Sequence, residues 1–100
     1  MAYSTSAPPR LINQGGLYAP AGAGGQMWFY STADTAATVD TSGYITNGGD
    51  LGMRVGDTVI VQVTGTGVLT THRVVTVSTT APGAVDLGDG TTVGSATNTD

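Results

Sequence analysis

The chain has 100 residues and a formal net charge of -4, from three arginines, no lysine, seven aspartates and no glutamate. That length fits a single domain with one thin core. Cations this few, dispersed as Arg10, Arg54 and Arg73, form no basic strip for a phosphate backbone, so direct nucleic-acid binding is not expected.

There is no cysteine, hence neither a disulfide framework nor a thiolate metal site. No stretch has the length of a membrane span, and no membrane partner is expected. Thr and Val, which suit strands, abound beside 16 glycines, while the helix formers Lys, Glu and Gln are absent or rare. Phe29 is the only phenylalanine. The composition predicts an all-β fold with a small, valine-rich core and glycine turns.

Residues 1–26 read as an extended Gly/Pro/Ala-rich arm. Pro8-Pro9 favours extended backbone, and the opening "MAYSTSAPPRLI" lacks the basic and apolar regions of a secretory signal. Such a segment does not offset its own ordering entropy. It carries apolar handles at Tyr3, Leu11, Ile12, Leu17 and Tyr18. Two readings fit: a disordered leader, or an arm that docks on a neighbour.

A β domain is expected over residues 27–93. Met27 to Ser31 is its first strand. Thr38-Val39 and Tyr44-Ile45 suggest brief strands around the turn signal Asp40 to Gly43; a helical turn near Ala36 is too short to weigh against them. Asn47-Gly48-Gly49-Asp50 is a further turn cluster.

Thr58 to Thr64 alternates, with Val59, Val61 and Val63 on one face and Ile60 on the other. Gly65-Thr66-Gly67 closes a hairpin onto a return strand from Val68 to Ser78. On that strand Leu69, Val75 and Val77 share one face, and Val68, His72 and Val74 the other. Pro82-Gly83 turns the chain into a strand from Ala84 to Leu87, and Thr91 to Val93 adds an edge strand. Five to six short strands make a small β-barrel or sandwich. Residues 94–100 form a polar tail.

Few residues are candidates for chemistry. In "RVGDTVI" the glycine admits positive φ and Asp57 can bond nearby backbone amides, which reads as a pivot into a strand. A catalytic carboxylate would need a nearby partner, and none is evident. His72 is the single histidine. Thr70 lies on its face of the strand, but no acid is placed to orient it. "DLGDG" has too few oxygen donors for a calcium loop, and "GAGG" lacks the Lys-Ser/Thr ending of a phosphate loop. No catalytic residue, metal or cofactor is therefore expected, and the chain does not read as an enzyme. Trp28, Phe29 and Tyr30 are consecutive, so at least one ring must point away from the core. One ring in the core and two on its rim is the plain expectation; an aromatic face for sugar is the other.

The run "YSTADTAATVDTSGYITNGGDLGMRVGDTVIV", residues 30–61, is similar to a segment of small tailed-bacteriophage virion proteins and their prophage counterparts. The recurring features are Asp34, Ala37-Thr38-Val39, Ser42-Gly43-Tyr44-Ile45, Leu51 and Gly56-Asp57-Thr58-Val59-Ile60. "PPRLI" in the arm and "THRVVTVS" followed by "VDLGDGTTVG" fit the same pattern, which contains turns and core positions and no active-site motif.

The resemblance implies a virion structural protein, and above all a capsid decoration (cement) protein that binds and stabilises the assembled head shell. The alternative is a head- or tail-fibre module recognising host glycan. The implied partners are the major capsid protein and further copies of the chain, as a trimer. The implied location is the capsid surface, with the host cytoplasm during assembly. The residues expected at the partner contact are Tyr3, Pro8, Pro9, Arg10, Leu11, Ile12, Leu17 and Tyr18 in the arm, with Met27, Trp28, Phe29 and Tyr30.

Overall fold

A computed structural model describes residues 3–13 and 25–95. The elements run β1 (Arg10–Asn13), β2 (Met27–Thr32), α1 (Ala36–Val39), α2 (Gly48–Leu51), β3 (Thr58–Val63), β4 (Val68–Val77), β5 (Val85–Leu87) and β6 (Thr91–Gly94). The strands make one sheet in the order β1-β2-β3-β4-β5, with β6 also paired to β4. The fold is all-β. The sheet stays open among the described residues, with β1 at one edge and β5 and β6 sharing the other. Barrel closure is thus not seen, and Ile60, on the outer face of β3, is half-buried.

β3 follows from its alternation: Val59, Val61 and Val63 are buried while Thr58, Ile60 and Gln62 are half-buried. Burying each such valine is worth about 1.5–3 kcal/mol. The Gly65-Thr66-Gly67 turn returns the chain antiparallel, pairing Val63 with Val68 and Thr58 with Arg73. β2 pairs with β3 in parallel, Met27 beside Thr58 and Thr32 beside Val63. A parallel pair needs a long crossover, and residues 33–57 supply it. They cross the inner face of the sheet and bury Val39, Ile45 and Met53 against Trp28, Tyr30, Val59, Val61 and Val74.

That crossover is where the expected strands differ most from the structure. Thr38-Val39 is helical, because Thr35 caps the turn: its hydroxyl accepts from the Thr38 amide at 3.3 Å. Ile45 makes a single antiparallel bridge to Val85. The expected turn cluster from Asn47 to Asp50 opens a second helix, Gly48–Leu51, which ends on Gly52 at φ +99°. The Gly49 amide donates to Gly83 O and the Asp50 amide to Pro82 O, both at 2.9 Å. A β-carbon on Gly83, whose φ is +87°, would lie 2.6 Å from the Gly49 Cα, so the two backbones touch only because both residues are glycine.

β4 also departs from simple alternation. A register shift between Val74 and Thr76 leaves Val74 buried and Val75 47% exposed, and returns Val77 to the core side. The fifth strand begins at Val85 rather than Ala84, and the sixth runs one residue further, to Gly94.

The expected free arm is ordered by its own body over residues 3–13. Arg10 pairs with Phe29 and Leu11 with Trp28 in an antiparallel ladder. Tyr3 packs against the core. The expected contact residues Leu17 and Tyr18 lie outside the described residues, as do tail residues 96–100.

Candidate functional site

Asp57 is fully buried and accepts four N–H bonds. Oδ1 takes the Gln26 amide at 3.2 Å. Oδ2 takes Gln26 Nε2, Trp28 Nε1 and the Arg54 amide, each at 3.0 Å. Its backbone is equally engaged: its carbonyl accepts from Val74, and its amide donates to Arg54 O. Gly56, at φ +93°, makes the turn that presents it. Asp57 therefore ties the start of β2, the 52–54 turn and β4 to the start of β3. With four donors on its two oxygens and no exposed surface, it serves the fold and lies out of a substrate's reach.

His72 is buried and pinned from both sides. Nε2 lies 2.9 Å from Thr70 Oγ1 and Nδ1 2.8 Å from Gly88 O. The carbonyl accepts from Nδ1–H, which makes Nε2 the acceptor for the Thr70 hydroxyl. Gly90 lies flat on the ring, and a β-carbon there would sit 2.5 Å from Cε1. Thr70 shares the histidine's face, as the alternation requires. The pair is sealed within the fold and holds the β5–β6 turn against β4.

The inner end of the sheet holds a tyrosine cluster that no local pattern announces. The rings of Tyr3, Tyr30 and Tyr44 lie 5.7–6.2 Å apart by centroid. Tyr44 donates to Asp34 Oδ2 at 2.5 Å, so Tyr30, 3.0 Å away, donates to Tyr44. Tyr3 donates to Asn47 Oδ1 at 2.5 Å.

The Tyr44 hydroxyl holds the Asp34 carboxyl below its ordinary range. Burial, and then Asp34, push the Tyr44 phenol well up, and burial pushes Tyr3 up to about 12. Phenols this reluctant to ionise are poor acid–base catalysts near neutrality. The cluster instead fastens the N-terminal segment to the body. Its members lie far apart in sequence and on different elements, which is why periodicity did not reveal it.

The consecutive aromatics divide differently from expectation. Trp28 and Tyr30 are both buried at 3% and 4% exposure, and only Phe29 faces outward, half-buried. Neither buried ring is available to a partner or for stacking on a sugar. Pro9 is buried as well, and Pro8 half-buried. Of the expected contact residues, the structure gathers Arg10, Leu11, Ile12, Met27 and Phe29 at the β1–β2 edge. Leu11 is 43% and Ile12 54% exposed, and the Arg10 guanidinium stands 5.6 Å over the Phe29 ring.

Among the described residues, every buried side-chain nitrogen and oxygen has a hydrogen-bond partner, and no three His, Asp, Glu or Cys side chains converge as metal ligands. No helix there is long and apolar enough to cross a membrane. The accessible features are the β1 edge and the outer face of the sheet. Comparison with models of known protein families, with curated proteins and with solved structures finds no match.

Proposed function

We propose that this chain is a structural protein of a tailed-bacteriophage virion, a capsid decoration protein that binds the assembled head shell through its β1 edge. The observation that carries the reading is the edge itself. The N-terminal segment is fixed to the body by Tyr3 and by the β1–β2 ladder, yet presents Leu11 and Ile12 to solvent. An open strand edge with apolar side chains is a ready template for pairing with another chain. The resemblance of residues 30–61 to phage virion proteins supplies the particle, and repetition over a lattice multiplies weak contacts by avidity.

The test is binding of the purified chain to expanded heads of the phage that encodes it, read as occupancy by electron microscopy. Ile12→Asp, on an exposed side chain, is expected to lower occupancy with the melting temperature unchanged. Deleting residues 1–26 is a poor test, because it removes Tyr3 and β1 from the fold. Absence of wild-type binding to heads refutes the reading.

A further inference from the structure

Asn47 is the chain's only asparagine followed by a glycine. Gly48 has no side chain to shield its amide, so in an open chain its nitrogen has free access to the Asn47 carboxamide carbon. The fold keeps the two apart. Asn47 sits at φ -124° and ψ 25°. At that ψ the Gly48 nitrogen lies nearly anti to Cβ across the Cα–C bond, whereas closing a ring through Cγ needs the two almost eclipsed.

Two hydrogen bonds hold Asn47 in that unreactive arrangement. The Tyr3 hydroxyl donates to Oδ1 at 2.5 Å, and the Asn47 carbonyl accepts from the Leu51 amide at 3.1 Å. Rotation towards ring closure swings this carbonyl away from Leu51 and so opens α2.

We infer that Asn47 and Gly48 form a self-modification site, latched by the Tyr3 bond and by α2, which converts to isoaspartate when this corner of the fold opens. The Gly48 nitrogen gives up its proton and bonds to Asn47 Cγ; the Cγ–Nδ2 bond breaks, and Nδ2 leaves as ammonia. The cyclic imide then takes up one water. Attack at Cγ restores the peptide and leaves an aspartate. Attack at the backbone carbonyl leaves an isoaspartate, whose chain runs on through Cγ. Water is the only co-reactant.

The two products differ in what the fold accepts. An aspartate oxygen takes the place of Oδ1 and keeps the Tyr3 bond. Isoaspartate lengthens the backbone by one methylene and shortens the side chain by one. Gly48 is buried, and even a β-carbon there would collide with Val85 Cγ2 and crowd the Met53 sulfur. The longer backbone therefore displaces α2, whose Gly49 and Asp50 amides bond Gly83 and Pro82. The shorter carboxylate no longer reaches Tyr3. The change is one-way and frees the N-terminal segment from its anchor.

The experiment incubates the full chain at mildly alkaline pH and follows position 47 by peptide mass spectrometry, with isoaspartate separated from aspartate by chromatography. Wild type and Tyr3→Phe are compared in buffer and in urea. Tyr3→Phe removes one hydroxyl and its hydrogen bond, so in buffer it should convert roughly two- to tenfold faster than wild type. In urea the two should convert at one rate, roughly tenfold or more above that of folded wild type. Aged wild type enriched in isoaspartate should melt lower than Asn47→Asp, which keeps an acceptor for Tyr3.

Equal wild-type rates in buffer and in urea overturn the inference. So does a folded Tyr3→Phe that converts no faster than wild type. If Tyr3→Phe does not fold, the wild-type comparison decides alone.

Discussion

Replacing Asp57 separates a structural carboxylate from a chemical one. In Asp57→Asn the amide oxygen can occupy the Oδ2 position and keep Gln26 Nε2, Trp28 Nε1 and the Arg54 amide. The new NH2 then faces the Gln26 amide, donor against donor, where Oδ1 had accepted at 3.2 Å. One buried amide is stranded, at about 1–3 kcal/mol, and three bonds to a carboxylate become bonds to a neutral acceptor, each weaker by a fraction of a kcal/mol to about 1. Allowing for relaxation, the expected loss is about 2–3 kcal/mol.

Asp57→Ala strands all four donors, and the expected loss is about 4 kcal/mol or more even if water refills part of the space. Against a total of about 5–15 kcal/mol for a domain, the first variant folds and the second is marginal. At about 4–8 °C per kcal/mol in a domain of this size, Asn should lower Tm by roughly 8–24 °C, measured by circular dichroism and checked by urea unfolding. An alanine variant melting within a few degrees of wild type refutes the reasoning. So does loss of a solution activity in Asp57→Asn with Tm unchanged.

Three further outcomes follow from the same packing logic. Gly90→Ala drives a β-carbon into the His72 ring, which two hydrogen bonds hold in place. A loss of about 1–3 kcal/mol is expected, with a shifted imidazole resonance by NMR, whereas Gly65→Ala, which meets nothing within 4 Å, should leave Tm within about 2 °C because it touches no neighbour.

Tyr3 has its phenol raised from 10.0 to about 12 in the fold, so its contribution is complete below pH 10 and fades as pH rises towards 12. Stability should fall across that window, less steeply in Tyr3→Phe, by denaturation at stepped alkaline pH. Asp34 shifts the other way. Its support is present above the ordinary carboxyl range and lost as pH falls through its lowered folded value, so Asp34→Asn should flatten the acid limb of the stability curve.

The sequence was most legible where one short segment carries its whole instruction. The Val59-Val61-Val63 alternation, the glycine hairpin after it, and Gly56-Asp57 as a pivot are local patterns, and the fold uses them as written. Legibility failed where distant segments decide.

Thr38-Val39 has the composition of a strand, but the Thr35 cap and burial of Val39 beneath the sheet favour a helical turn. The parallel pairing of β2 with β3 leaves no mark in either strand. Val75 and Val77 look equivalent by alternation, and a one-residue bulge separates them. Among the candidate site residues, Leu11 and Ile12 were recognisable as apolar residues on a polar string. The burial of Trp28 was not, because it depends on Asp57 reaching the indole nitrogen from 29 residues away.

The ordering of β1 changes the energetics expected of any docking at this edge. A segment that folds only on its partner deducts its conformational entropy from the affinity, about 1–2 kcal/mol per residue for the backbone alone. The four residues of β1 would cost about 4–8 kcal/mol on that account. Here the ladder to β2 and the anchoring of Tyr3 settle that cost when the chain folds, so association is left with side-chain ordering and rigid-body entropy.

On the proposed virion role, loosening the anchor without touching the edge should therefore weaken binding at a distance. Asn47→Ala removes the acceptor of the Tyr3 hydroxyl but no atom of Leu11, Ile12 or the outer face. Its expected signature is faster hydrogen exchange in the β1 amides together with lower head occupancy. Faster exchange with full occupancy would mean that the strand is not what the shell engages.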